Sequence, residues 1–76
     1  MKVRVIFHGE LAEIAGAGQK YYYNVRSLGD LKLRIMDDFP RLVHTCHLLF
    51  LNDSKRSANA RLKNNDKISL IPSEDL

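Results

Sequence analysis

The sequence has no tryptophan, one cysteine and two prolines among its 76 residues. The lone Cys46 excludes an internal disulfide framework and fits a reducing compartment, so a cytoplasmic location is expected. No apolar run approaches the roughly 18 residues that a membrane-spanning helix needs. The opening MKVRVIFHGE is interrupted by Arg4 and His8, so no signal peptide is apparent. A dense run of one charge sign is also missing. Lys and Arg number 12 against 9 Asp and Glu, a net charge of +3, which permits an anionic partner without demanding one. Contact with about six to ten phosphates needs a denser basic stripe than Lys55-Arg56 followed by Arg61, Lys63 and Lys67. Nucleic-acid binding is therefore a weak reading beside that of a solvated loop.

What is present is ordinary for a globular chain: 45% hydrophobic and 28% charged residues, which argues against disorder or a fibrous repeat. The length suits one small domain spanning 1–76. Such a domain buries only about 60% of its unfolded surface, and its core nets about 3–5 kcal/mol. A large catalytic cleft is not expected, and the chain is not read as an enzyme.

Residues 2–8 alternate, with Val3, Val5 and Phe7 against Lys2, Arg4 and His8, as in a half-buried strand. Ile6 breaks the pattern by standing on the polar side. Leu11, Ile14 and Ala15 suit a helical turn or two, stopped by Gly16 and Gly18. Residues 19–25 read as a second strand, with Tyr21, Tyr23 and Val25 on the core-facing side and Tyr22 on the other. Ser27 and Asp30 form a capping pattern. Leu28, Leu31, Ile35 and Phe39 then share one helical stripe, with Met36 at its edge and Leu33 off it. Pro40 ends this helix. Residues 47–52 are a third strand, followed by an Asn52-Asp53-Ser54 turn. Residues 55–63 hold at most a short strand or turn. Asn64-Asn65-Asp66 turns into a last strand over residues 67–72, Asn tolerating the left-handed backbone such turns need.

One amphipathic helix must cover one face of one sheet. The expected fold is therefore α+β: a β-grasp, or ubiquitin-like, arrangement. It has a mixed sheet of four to five strands, the first and last central, covered on one face by one main helix. The predicted core is Val3, Val5, Phe7, Val25, Leu28, Leu31, Ile35, Phe39, Leu48, Phe50, Ile68 and Leu70.

The chemistry-bearing residues form no strong constellation. His44, Cys46 and His47 crowd together, but alternation turns His47 away from the other two and a fourth ligand is not evident. No metal site and no cofactor is expected, and Cys46 reads as a partly buried thiol. Tyrosines 21–23 are capable of stacking on bases; two core-facing rings and one surface ring is the plainer reading.

The residues that follow the first strand, Phe7-His8-Gly9-Glu10-Leu11-Ala12-Glu13-Ile14-Ala15-Gly16, resemble a stretch of the MoaD/ThiS family of ubiquitin-like sulfur carriers. Glu13 and Gly16 fit it, while Ala12 stands where Arg is common. Leu51-Asn52 is similar to the family's apolar-Asn pair. Leu62-Lys63-Asn64-Asn65-Asp66-Lys67-Ile68-Ser69-Leu70-Ile71-Pro72 is similar to its closing pattern, with Asn65 in place of the usual Gly. The resemblance implies a sulfur carrier or a relative of one. Its partner would be a protein: an adenylating activating enzyme, or a synthase large subunit such as that of molybdopterin synthase. Carriers of the family end in Gly-Gly, whose carboxylate is adenylated and then converted to a thiocarboxylate. Here Ser73-Glu74-Asp75-Leu76 follows Pro72. Leu76 places a bulky side chain at the reacting carbon, and Glu74 and Asp75 bring negative charge towards ATP phosphates.

Two functions follow. The first is a non-catalytic protein-interaction module. The second is a carrier in molybdopterin, thiamine or related sulfur transfer with an atypical tail. For docking, the pleat predicts a sheet face away from the helix made of Arg4, Ile6, His8, Tyr22, Leu49, Leu51, Ser69 and Ile71, with Glu74, Asp75 and Leu76 at its edge. Contiguous apolar groups there read as an interface.

Overall fold

The computed structural model describes residues 1–44 and 47–73. In chain order these form β1 (Lys2–Phe7), α1 (Glu10–Ala15), β2 (Gln19–Tyr23), α2 (Leu28–Asp38), a 3-10 helix (Pro40–His44), β3 (His47–Leu51), β4 (Ser54–Lys55) and β5 (Lys67–Pro72). Alternation drives β1: Val3, Val5 and Phe7 are buried, and the residues between them are not. The Ser27 hydroxyl caps α2 by accepting the Asp30 N–H at 3.1 Å. This satisfies one of the helix's orphan donors. Leu28, Leu31 and Ile35 bury the inner stripe, while Leu33 is 71% exposed. The helix stops at Phe39, ahead of Pro40, and the 3-10 turn that follows tucks Leu42 into the core. No helix among the described residues is long and apolar enough to cross a membrane.

The sheet runs β2-β1-β5-β3-β4. The central β1–β5 pair is parallel, with Val5 beside Ile68 and Phe7 beside Leu70; the other pairs are antiparallel. The helix α2 covers one face. The core joins Val3, Val5, Phe7, Val25, Leu28, Leu31, Ile35, Ile68 and Leu70, as expected, to Leu11, Tyr22, Leu42, Leu51 and Leu62. Phe39 packs at the core margin, with its ring edge-on to Phe7 at 5.6 Å.

Two strands reverse the expected facing. In β2, Tyr22 pairs with Val3 across an antiparallel ladder. Opposite residues share a face, so Tyr22 points to the core (3% exposed) while Tyr21 and Tyr23 point to solvent. The strand ends at Tyr23. Asn24, at φ 59°, breaks the alternation and lets Val25 be buried regardless. In β3, Leu51 lies opposite Ile68 and Leu49 opposite Leu70, so Leu49 and Leu51 pack inward. Leu48 and Phe50, expected in the core, face outward opposite Ile71 and Ser69. The all-apolar HLLFL run carries no alternation from which to read its parity.

The phenol of Tyr22 donates to Asp38 Oδ2 at 2.8 Å, and Lys20 Nζ reaches the same oxygen at 2.9 Å, clasping β2 to the end of α2. These bonds, Lys20's first, hold the Asp38 carboxyl below its ordinary range; burial and Asp38 push the Tyr22 phenol up. The clasp is partly exposed, so its contribution to stability is small beside that of the core. Truncating Ile35 or Phe7 to Ala is expected to cost about 2–5 kcal/mol in urea unfolding. A loss below about 1 kcal/mol at Ile35 would show that α2 is not docked as described.

Candidate protein-docking face

The position of the exposed sheet face follows from a short turn. Asn52 and Asp53 both lie in the left-handed region, at φ 49° and 69°. That conformation closes a two-residue hairpin between Leu51 and Ser54. Asn52 also fixes β3 on β5. Its N–H donates to Lys67 O at 2.8 Å, and its Oδ1 accepts the Lys67 N–H at 3.0 Å. Its Nδ2 donates to Asp66 Oδ1 at 3.0 Å. Asp66 in turn accepts the Lys63 N–H at 2.7 Å. A one-residue slip would exchange every inward and outward side chain of β3, and this clamp opposes it.

With register set, the outward side chains form rows across the sheet. One row reads Ile6, Ser69, Phe50, Lys55. On one side of it Leu48 stands opposite Ile71; on the other Tyr21, Arg4 and Lys67 stand in line. The face therefore has an apolar half (Ile6, Leu48, Phe50, Ile71) and a basic half. Ile6, Leu48, Phe50 and Ile71 are half-buried, and Ser69 is buried between Ile6 and Phe50. In the basic half, Lys2 Nζ lies 4.8 Å from the Tyr21 ring centroid, and Lys2, Arg4, Tyr21 and Asn65 line a cavity of about 210 Å³. The Lys67 ammonium sits 3.4 Å from Asp53.

Of the residues expected on this face, the structure brings Arg4, Ile6, Ser69 and Ile71 together there. The exposed His8 follows β1 and donates its N–H to Leu70 O at 3.0 Å. Leu49, Leu51 and Tyr22 belong to the opposite side, for the register reasons above. Leu48 and Phe50 take the places foreseen for Leu49 and Leu51. The signal that identifies them is Asn52: a residue that bonds Lys67 at the turn places Leu51 beside Ile68, and parity follows. Glu74, Asp75 and Leu76 lie outside the described residues, as does Cys46. Among the described residues no group of three His, Cys, Asp or Glu side chains is placed to hold a metal ion.

No protein-family model matches the chain, and no curated protein sequence does. Solved structures do. A putative molybdopterin converting factor subunit 1 from Pyrococcus furiosus superposes with a TM-score of 0.85 at 18% identity, covering 95% of this chain and 97% of that one. The small archaeal modifier protein 1 from Methanosarcina acetivorans gives 0.82 at 18%, covering 93% and 91%. A complex of subunits 1 and 2 of the molybdopterin-converting factor from Helicobacter pylori gives 0.73 at 24%, covering 95% and 93%. The fold is the ubiquitin-like β-grasp. At these identities the likeness carries architecture, and this β-grasp chain's chemistry rests on its own residues.

The clamp makes a separable prediction. Asn52→Ala loses both side-chain bonds and strains a left-handed residue, and is expected to cost about 2 kcal/mol; Asn52→Gly keeps the turn and loses only the bonds, about 1 kcal/mol. Urea unfolding measures both. No loss in either variant would show that Asn52 does not secure the β3 register.

Proposed function

We propose that this chain is a MoaD/ThiS-like β-grasp module, itself not an enzyme, that acts in the cytoplasm by docking its helix-free sheet face on a protein partner. The observation that carries this reading is the contiguous outward group Ile6, Leu48, Phe50 and Ile71, rimmed by Arg4, Lys67 and Lys55. An apolar centre with a polar rim is the anatomy of a protein interface, and apolar residues grouped on the open face of a small domain mark such sites. The fold likeness supports the same reading, because the Helicobacter pylori relative was solved as a complex of its two subunits. A synthase large subunit is therefore the first partner to test, and an adenylating enzyme the second. His8, at the end of β1, extends the polar rim. The tail residues Glu74, Asp75 and Leu76 follow β5 in sequence and are assigned to the edge of the same contact.

The second reading is a sulfur carrier with an atypical tail, favoured by the structural likeness to molybdopterin converting factor subunits. The residue types after Pro72 weigh against it, since carboxylates near ATP phosphates repel them.

Titration of the isotopically labelled chain with a molybdopterin synthase large subunit is expected to shift the amides of Ile6, Phe50 and Ile71. Ile6→Asp or Ile71→Asp should weaken that binding by more than about 1 kcal/mol with the melting temperature unchanged, because a charge is unwelcome at an apolar interface centre. Shifts confined to α2 would place the contact on the wrong side of the sheet. In ATP–pyrophosphate exchange with an adenylating enzyme the chain is expected to support no turnover. Turnover that depends on residues 73–76 would promote the carrier reading.

A further inference from the structure

The edge of β3 offers a second surface, which adjoins the outer face at Leu48 and Lys55. The hairpin strand β4 pairs only with Phe50 and Leu51. Among the described residues no strand lies along the rest of that edge. The chain leaves β3 after Lys55 and crosses to the start of α2, where the N–H groups of Gly29 and Leu28 donate to Ala58 O and Ala60 O at 3.0 and 2.9 Å. Gly29 permits this close crossing, since a Cβ there would meet Ala58 O at 3.2 Å. The departure opens a groove of about 180 Å³ between α2 and β3.

The backbone phase of β3 decides what the groove presents. Asn52 and Lys67 are a hydrogen-bonded pair. In an antiparallel ladder bonded pairs recur every second residue, so Phe50 and Leu48 spend their N–H and C=O groups on β5. Those of Leu49 point the other way, into the groove. Its apolar lining is Leu28, Leu48, Leu49 and Ala58, and its rim carries Lys32, Lys55 and Arg56; none of the described lining residues is acidic.

We propose that this edge accepts an extended acidic peptide segment of a partner protein by strand addition. The peptide backbone pairs with Leu49, its inward side chains rest on Leu28 and Ala58, and its carboxylates meet Lys32, Lys55 and Arg56. Strand addition supplies main-chain bonds, and the flanking side chains supply selectivity. The rim's single sign of charge selects carboxylates over cations.

The probe is a capped peptide of alternating valine and glutamate. Titrated into the labelled chain, it is expected to shift the amides of Gly29, Lys32, Leu49 and Arg56 and to slow hydrogen exchange at Leu49. A Lys32→Glu, Arg56→Glu double variant, with both changes at exposed positions, should keep its melting temperature and bind about fivefold or more weakly. The same peptide N-methylated at alternate amides should not bind. The proposal is overturned if no shift occurs at millimolar peptide, if a lysine-for-glutamate peptide binds equally well, if the N-methylated peptide binds as tightly as its parent, or if the shifts fall on Ile6 and Ile71 instead.

Discussion

The hydrogen bonds of Asn52 are the constraint on which both surfaces depend. The residue occupies a left-handed turn that most side chains resist. From there it joins Lys67 through backbone and side chain and joins Asp66 through its amide. Two consequences follow. Leu49 and Leu51 complete the core beneath α2, while Leu48 and Phe50 stand outside with Ile6 and Ile71. The backbone phase of β3 is fixed as well, so the main-chain groups of Leu49 face the groove. A slip by one residue would place Phe50 in the core and undo the outer apolar group together with the edge.

The architecture was legible in the sequence wherever periodicity was clean. The β1 alternation, the Ser27 cap, the α2 stripe and the Pro40 stop specify a helix over a sheet. The apolar faces of the first and last strands put those strands at its centre. Facing was illegible where periodicity was absent. HLLFL is apolar throughout, so its parity is decided by a partner strand and a turn rather than by its own composition. The three consecutive tyrosines pose the same problem: each ring is amphipathic, and the pairing of Tyr22 with Val3 chooses which is buried. The 3-10 helix over residues 40–44 is illegible as well, because Pro40 reads as a stop and one buried residue, Leu42, leaves no period to detect. The composition of the outer sheet face was legible in part. Arg4, Ile6 and Ile71 inherit their facing from well-patterned strands, whereas the β3 contribution required the register.

A sheet covered on one side by one helix has to leave its other face to solvent. Most positions on such a face are expected to be polar, and in this chain the β1 and β2 positions Lys2, Arg4, Tyr21 and Tyr23 obey that expectation. Ile6, Phe50, Leu48 and Ile71 do not. Their neighbours reduce the cost, because each is half-buried by adjacent side chains and they enclose the small, buried Ser69. The group is compact rather than scattered, which separates it from the isolated exposed leucine that any protein tolerates.

Charge placement sets what this face can meet. The net charge of +3 conceals a segregated field. The charged side chains that the strands direct outward are Lys2, Arg4, Lys67 and Lys55, and all are basic. The acids among the described residues lie in α1, in α2 and in the turns at Asp53 and Asp66. Two copies of this chain brought face to face would therefore oppose cation to cation around their apolar centres. Such juxtaposition is costly enough to suppress wrong partners. A partner with an apolar centre and an acidic rim meets no such barrier, and its approach is steered over about a Debye length, roughly 8–10 Å at moderate salt. The same cations that discourage self-association thus orient the proposed complex.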